Sequence, residues 1–413
     1  MTRGETRPPD PGSSPGQRGL VLVGIVALAF ALRPAVTSLG AVLVEVRTDL
    51  GLASWLASVL TTLPVLCFAA VGALTHLLTH RLGLHRSALL ALVAIAFGLV
   101  TRAGTDSTTV FTVASTLALA GMAVGNVSLP HLVKVHFPDR IPTVTALYSC
   151  ALLIGASVPS GLTVPVADAA GGWRVGLGVW AATAAVAALP WVLLLRRDVR
   201  ERDDDAARAG VRVRQGLLRS PLAWAMALFF GLQSAQAYAQ FGWLPAIYSD
   251  AGLSPAAAGL MLTVATAVGV PAPLVLPAYA RRTSDHRLLV AGFCGLTAAG
   301  LCGLLLAPAT VPWLWAACLG LGGAAFPWVL AMLALRTRTA EGTAALSGFV
   351  QSIGYLLAAV GPLGTGLLHD ATGSWTLPVA VLLALTVPML VTGLRFARPR
   401  LLEDELDDRP HLR

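Results

Sequence analysis

Long apolar runs, separated by short polar breaks, fill the chain from Leu20 to Arg395. They do not alternate apolar and polar positions as a half-buried strand would. Each is long enough to cross a hydrocarbon core ~30 Å thick as a helix of ~20 residues. The pattern predicts twelve membrane-spanning helices, numbered here spans 1 to 12: 20–45, 53–78, 87–104, 108–134, 143–167, 174–195, 220–247, 255–280, 287–307, 311–334, 343–368 and 375–396. A transmembrane β-barrel needs short alternating segments, so the fold class is an all-α integral membrane protein. Most connections are short, which makes neighbouring helices pack antiparallel. The exception, 196–219, carries eight arginines against Asp198, Glu201, Asp203, Asp204 and Asp205. A segment so charged cannot bury apolar area and reads as a solvated linker. The polar stretch 1–19, rich in Pro, Gly and Arg, reads as a disordered tail; no small-residue cleavage site marks it as a signal peptide. The stretch 398–413, with Glu403-Asp404-Glu405-Leu406-Asp407-Asp408, reads as a disordered acidic tail.

The two sides of the linker repeat one another. Asp168-Ala169-Ala170-Gly171-Gly172-Trp173 returns 202 positions later as Asp370-Ala371-Thr372-Gly373-Ser374-Trp375. Gly51-Leu52 returns as Gly252-Leu253, and the turn from Arg81 to His85-Arg86 as Arg282 to His286-Arg287, each 201 residues on. A six-span unit has been duplicated, giving halves 20–195 and 220–397 that enter the membrane from the same side. Such parallel repeats, related by an axis along the membrane normal, frame the solute path of secondary transporters. Both copies of the Asp-Ala-x-Gly-x-Trp segment fall at the outer mouth, where they read as a facing pair of gates.

Charge orients the bundle. With both termini inside, 25 of the 29 basic residues lie on the inner side or in the flanking tails; Arg33, Arg47, Arg102 and Arg174 fall elsewhere. The positive-inside rule therefore places both termini in the cytoplasm and the protein in the plasma membrane. It also explains the net charge of +8 without nucleic acid. The five cysteines, Cys67, Cys150, Cys294, Cys302 and Cys318, lie within spans and lack metal-ligand spacing, so they read as small buried hydrophobes. Lys134 is the single lysine and follows no glycine-rich loop, which excludes a Walker-type ATP site. Neither HExxH, CxxC nor a nucleophile elbow is present. No enzyme and no cofactor is indicated. The short linker and tails leave no room for a signalling domain.

Arg33 is the sharpest single residue, within one turn of the middle of span 1. An unpaired cation there costs ~2.5–3.5 kcal/mol on insertion scales. All 21 acids fall in loops, tails or near helix ends, so no carboxylate lies at its depth. It must meet carbonyls, polar side chains or a bound anion. Pro34 beside it removes a donor and loosens the helix locally. One reading is a substrate contact for a small polar or anionic solute; the other is a structural arginine on carbonyls.

Other polar residues join it as candidate cavity lining. Span 7 carries Gln233, Gln236 and Gln240 in one helical stripe, with Tyr238 and Trp243. Span 11 offers Gln351 and Tyr355, span 4 Asn126 and span 5 Tyr148. Helix–helix hydrogen bonding is the competing account of the stripe, and packing that of each aromatic. His131 and His136, flanking Lys134, suit either a loop role or proton handling. The lack of a deep acid argues against a carboxylate proton relay. Facilitated diffusion, exchange, or a symport in which the substrate or a histidine handles the proton all stay open.

The loop after span 2, Arg81-Leu82-Gly83-Leu84-His85-Arg86, resembles the major facilitator loop motif in degenerate form. His80 stands where that motif has Asp, and His76 where it has Gly. The motif clamps the halves, which makes Arg81, Gly83, Arg86, Arg282 and Arg287 candidate gating residues; ordinary positive-inside arginines are the alternative. Further stretches are similar to the cyanate/nitroimidazole permease family of the major facilitator superfamily: Leu32-Arg33-Pro34-Ala35-Val36-Thr37-Ser38, Leu60-Thr61-Thr62-Leu63-Pro64-Val65, Gly125-Asn126-Val127 and Gly172-Trp173-Arg174. The second half adds Gly231-Leu232-Gln233-Ser234, Trp243-Leu244-Pro245, Leu346-Ser347-Gly348 and Gln351-Ser352-Ile353-Gly354-Tyr355. The resemblance implies a secondary transporter of small solutes; the chain is expected to act as a monomer by alternating access, with a coupled proton or counter-solute as partner. Drug efflux by the same fold is the alternative; it usually wants a larger apolar cavity and a deep carboxylate.

Overall fold

The computed structural model describes residues 15–195 and 216–407. Among the described residues every regular element is helical. Eleven spans are long and apolar enough to cross a membrane. Span 7, Pro221–Asp250, has the length, 30 residues, but its glutamine stripe holds down its apolar content.

Spans 2, 3, 4 and 5 are Ser54–Leu82, Leu84–Ala103, Thr108–His136 and Ile141–Ala170. Spans 9 and 12 are Arg287–Leu306 and Thr376–Ala397. The remaining spans are interrupted. Span 1 is Pro15–Leu32 followed by Pro34–Asp49, and span 6 is Trp173–Gly178 with Ala181–Leu194. Span 8 is Pro255–Ala267 with Ala272–Arg282, span 10 Pro312–Gly322 with Ala325–Leu335, and span 11 Ala340–Ala358 with Val360–Thr372. Starts follow local chemistry. Ser107, Ser220, Ser254 and Thr339 each accept a backbone N–H of the first turn, from Val110, Ala223, Ala257 and Gly342. Proline follows Ser220 and Ser254, at the helical position where its missing donor is harmless.

Span 1 breaks at Arg33 because Pro34 has no N–H and its ring crowds the carbonyl of Phe30. Span 5 packs against that carbonyl: a Cβ on Gly155 would come within 2.3 Å of the Phe30 oxygen, so only glycine admits the approach. Buried apolar residues form two clusters. One, around Ile25, Leu28, Trp191, Phe229 and Trp328, fills the middle and the side of the described chain ends; the other, around Leu43, Phe111, Trp173, Tyr248 and Leu262, fills the opposite side.

The ends of the chain differ from expectation. The helix of span 1 begins at Pro15, inside the stretch read as a disordered tail, whose first 14 residues lie outside the described residues. Linker residues 196–215 lie outside them as well. The acidic tail is not without structure: Leu402–Asp407 is a helix. Leu402 is fully buried and its N–H donates to the Arg336 carbonyl at 2.9 Å. Glu403 accepts the N–H groups of Arg338 and Thr339 at 2.8 and 3.2 Å, and Asp404 pairs with Arg338 at 2.6 Å. Glu405 accepts the Ser220 hydroxyl at 2.7 Å and the Leu222 N–H at 3.2 Å, capping span 7. Acid composition suggested disorder; the orphan donors at the starts of spans 7 and 11 supply partners that a sequence pattern does not display.

Candidate functional site

Arg33 sits at the break of span 1, half-buried, and its Nη1 donates to the Tyr238 hydroxyl of span 7 at 3.3 Å. No carboxylate lies within ion-pair reach of it among the described residues. The half-broken helix is held from the side by Arg102 of span 3, whose Nη1 donates to the Ala35 carbonyl at 2.9 Å and Nη2 to Ser38 Oγ at 3.1 Å. Arg102 is fully buried and its Nε has no partner. An arginine buried on one carbonyl and one hydroxyl, with no counter-charge, costs several kcal/mol of desolvation. That cost is offset only if the two bonds secure something, and what they secure is the first turn after Pro34. The sequence signal was its lone position among the four cations away from the inner face, which by itself does not distinguish it from Arg33.

Around the guanidinium the two halves meet through aromatic rings. Phe68 of span 2 stacks on Tyr355 of span 11 at 4.8 Å and meets Tyr238 edge-on at 6.3 Å. Tyr355 in turn meets Phe230 at 5.1 Å, and Tyr238 meets Phe241 at 5.6 Å. Phe68 was not expected from sequence, since one phenylalanine in an apolar run carries no signal. Through Tyr238 the guanidinium is thus joined to a chain of aromatic rings that spans both halves.

The remaining expected residues separate into groups. Asn126, Tyr148, Gln240 and Gln351 are half-buried, and Gln351 donates to Ser347 at 2.7 Å on its own helix. Gln233 is buried and accepts from Ser234 at 3.4 Å. Gln236 is buried against span 12, its Nε2 3.9 Å from Met389 Sδ, so two stripe members meet protein instead of sharing one wet face with Gln240. Trp243 donates to the Pro362 carbonyl at 2.9 Å, tying spans 7 and 11.

On the side of Arg33 away from the described chain ends the halves close on each other. Ser160 and Thr263 hydroxyls lie 3.1 Å apart, and Thr263 donates to the Ser157 carbonyl at 3.0 Å, joining spans 5 and 8. Spans 1 and 7 touch so closely that a Cβ on Gly40 would lie 2.1 Å from the Phe241 carbonyl oxygen. The duplicated segments each brace their own half. Trp173 Nε1 donates to Asp49 at 3.0 Å, and Trp375 Nε1 to Asp250 at 2.7 Å. Thus the Gly-x-Trp turn of each half holds the end of that half's first span. The first copy adds Arg174, which bridges Asp49 and Asp106 at 2.6 and 2.5 Å. The second has His369 stacked on Trp375 at 3.8 Å.

At the face that carries the described chain ends, Gly83 turns span 2 into span 3 with a left-handed φ of +91°. Arg81, Arg86, Arg282 and Arg287 are exposed. Arg287 is engaged by Asp285 on its own turn, through Nε at 2.8 and 3.0 Å and Nη2 at 2.5 Å, which holds that carboxyl down at about 2. The guanidinium therefore serves a local turn and not a bond to the other half. His136 meets His85 with Nε2 atoms 3.0 Å apart, linking the inner ends of spans 3 and 4. A single shared proton satisfies that contact.

Comparison with known proteins gives a consistent picture. Residues 23–362 match the Major Facilitator Superfamily. The chain is 35% identical over 396 residues to an uncharacterized transporter, YycB, of Bacillus subtilis (strain 168), covering 95% of this chain and 97% of that one. It is 34% identical over 391 residues to the 2-nitroimidazole transporter of Escherichia coli (strain K12), covering 93% and 97%. To the cyanate transport protein CynX of the same organism it is 29% identical over 382 residues, covering 92% and 98%. In fold it is similar to a bacterial homolog of the human lysosomal transporter Spinster in an inward-facing, unoccupied conformation, with a TM-score of 0.73, 14% identity, and 96% and 99% of the two chains covered.

Proposed function

The chain belongs to the Major Facilitator Superfamily, and from that premise we propose that it carries a small anionic or strongly polar, flat solute across the plasma membrane. It is a membrane transporter of small solutes and not an enzyme. The solute class rests on Arg33: a half-buried cation without a carboxylate partner, one of its donors on Tyr238, at the level where the halves meet. Tyr238, Tyr355 and Phe68 supply faces for a flat solute, with Asn126, Tyr148, Gln240 and Gln351 as further polar lining. Names of relatives agree in kind: cyanate is a small anion and 2-nitroimidazole a small planar acceptor-rich ring. The outer closure at Ser160–Thr263 and Gly40–Phe241 represents one of two states between which the halves rock, the cytoplasmic side being the way in. Both termini lie in the cytoplasm, a reading supported by the 25 inner basic residues. One chain, acting as a monomer, encloses the path. Efflux of large apolar compounds is not favoured, because a cation on hydroxyls and rings is not the carboxylate such cargo usually requires.

The experiment is uptake into proteoliposomes of cyanate, 2-nitroimidazole and small aromatic acids, comparing the parent with Arg33→Gln and Arg33→Lys. Loss of one charge-assisted contact costs about 1.5–3 kcal/mol, so Arg33→Gln should lower kcat/KM about 10- to 150-fold for the transported member. Arg33→Lys should recover part of it for an anion. Undiminished transport of every identified substrate by Arg33→Gln would overturn the assignment.

A further inference from the structure

A second polar site lies far from the solute path, at the inner face of the second half. The start of span 7, the start of span 9 and the end of span 12 enclose a cleft of about 540 Å³. Its rim holds Arg287, Arg395, Arg398 and Arg400, and its apolar wall Pro221, Leu222, Ala225 and Leu394. Glu405 also lines it, but that carboxylate is engaged by the Ser220 hydroxyl and the Leu222 N–H. Arg287 is engaged by Asp285. Arg395, Arg398 and Arg400 make no ion pair among the described residues, although all three are exposed on one cleft; Asp285, already held by Arg287, is within electrostatic reach of Arg398. Three like charges gathered around an apolar-walled hollow are stabilised by a shared anion.

The approach to the cleft identifies the anion. Val387 and Val391 of span 12 are 62% and 48% exposed and lead, at four-residue steps, to Arg395. On span 9, Leu288 is 82% exposed beside Arg287. Exposed apolar side chains on membrane-crossing helices face acyl chains, so the arginines stand at headgroup level directly beneath them. Anionic headgroups of the inner leaflet are attracted there by about 1 kcal/mol per arginine, about fivefold in affinity.

We propose that this cleft binds the phosphate of an anionic phospholipid, whose acyl chains run along Leu288, Val387 and Val391. A free phosphate offers the same chemistry to the arginines but gains nothing from the apolar approach, which is why the lipid is the occupant.

The test is native mass spectrometry and thermal unfolding of the full chain in detergent, with phosphatidylglycerol, phosphatidylcholine or inorganic phosphate added. Phosphatidylglycerol should stay bound and raise the midpoint, while phosphatidylcholine and inorganic phosphate at matched concentration should not. The triple variant R395Q/R398Q/R400Q should lose about a hundredfold in phosphatidylglycerol affinity, at about fivefold per arginine. R282Q, an exposed inner arginine outside the cleft, should bind like the parent. Should the triple variant fold poorly, a photoactivatable phosphatidylglycerol bound to the parent protein should label residues of spans 7, 9 and 12 around the cleft. Equal binding of phosphatidylcholine, full competition by inorganic phosphate, unchanged affinity in the triple variant, or labelling elsewhere would each overturn the proposal.

Discussion

Gly40 is where the outer closure tolerates least change. In the closed arrangement a methyl group on residue 40 would sit 2.1 Å from the Phe241 carbonyl oxygen, almost an ångström short of the 3.0 Å that real contacts respect. The Cβ is fixed by the backbone that carries it and its partner is a backbone oxygen, so no rotamer change relieves the contact; spans 1 and 7 must separate. Overpacking of this kind costs about 1–3 kcal/mol. The cost falls on the closed state alone, since an outward-open arrangement parts the two helices. At 1.4 kcal/mol per factor of ten, Gly40→Ala should shift the equilibrium toward the outward-open state about 5- to 150-fold. The assay uses a background in which Cys67, Cys150, Cys294, Cys302 and Cys318 are replaced and Ser58→Cys serves as reporter. Ser58 is fully buried in the closed arrangement, against Gly366. A membrane-impermeant thiol reagent applied from outside should label it at least fivefold faster with Gly40→Ala, and uptake should fall as the inward-facing state is depopulated. A variant that folds, transports at the parental rate and labels no faster would refute the reasoning, because it would mean the 1–7 contact is not part of the moving seal.

Three further outcomes follow from named contacts. Tyr238→Phe keeps the ring packing against Phe68 and Phe241 but removes the acceptor for Arg33, so it should change KM for an anionic solute several-fold in uptake assays while leaving the thermal midpoint close to the parent. Leu402→Ala empties a fully buried site and should cost about 2–5 kcal/mol, read as a lower unfolding midpoint in detergent; an unchanged midpoint would mean the tail helix does not brace the second half. Asp285 has its pKa lowered to about 2 by the Arg287 bonds, so its contribution to stability is complete above the ordinary carboxylate range and lost only as pH falls through about 2. The difference in midpoint between the parent and Asp285→Asn should therefore be the same at pH 8 and pH 6, and shrink only in strong acid.

Twelve spans, their orientation expectation and the duplication were legible in the chain itself, for reasons that are local. Crossing a membrane demands a continuous apolar length, and that demand is written along the backbone in order. The break at Arg33 was legible too, because Pro34 acts on the turn that contains it. Even the repeated Gly-x-Trp segments announced themselves, although their partners, Asp49 and Asp250, did not: the indole bonds run across 124 and 125 residues.

What only the tertiary structure decided is which polar groups point where. The glutamine stripe of span 7, Gln233, Gln236 and Gln240, looks continuous in sequence, yet span 12 takes Gln236 while Gln240 stays half-buried, because facing helices subdivide a polar face that periodicity treats as one. Arg33 and Arg102 are both lone cations in apolar runs. Packing sends Arg102 onto the Ala35 carbonyl, fully enclosed, and leaves Arg33 half-exposed beside a tyrosine hydroxyl. The acidic tail read as disordered because its charges have no local partners; Ser220, Leu222, Arg338 and Thr339, distant in sequence, provide them. Apolar length is a property of a segment, whereas the satisfaction of a polar group belongs to whatever the fold brings beside it.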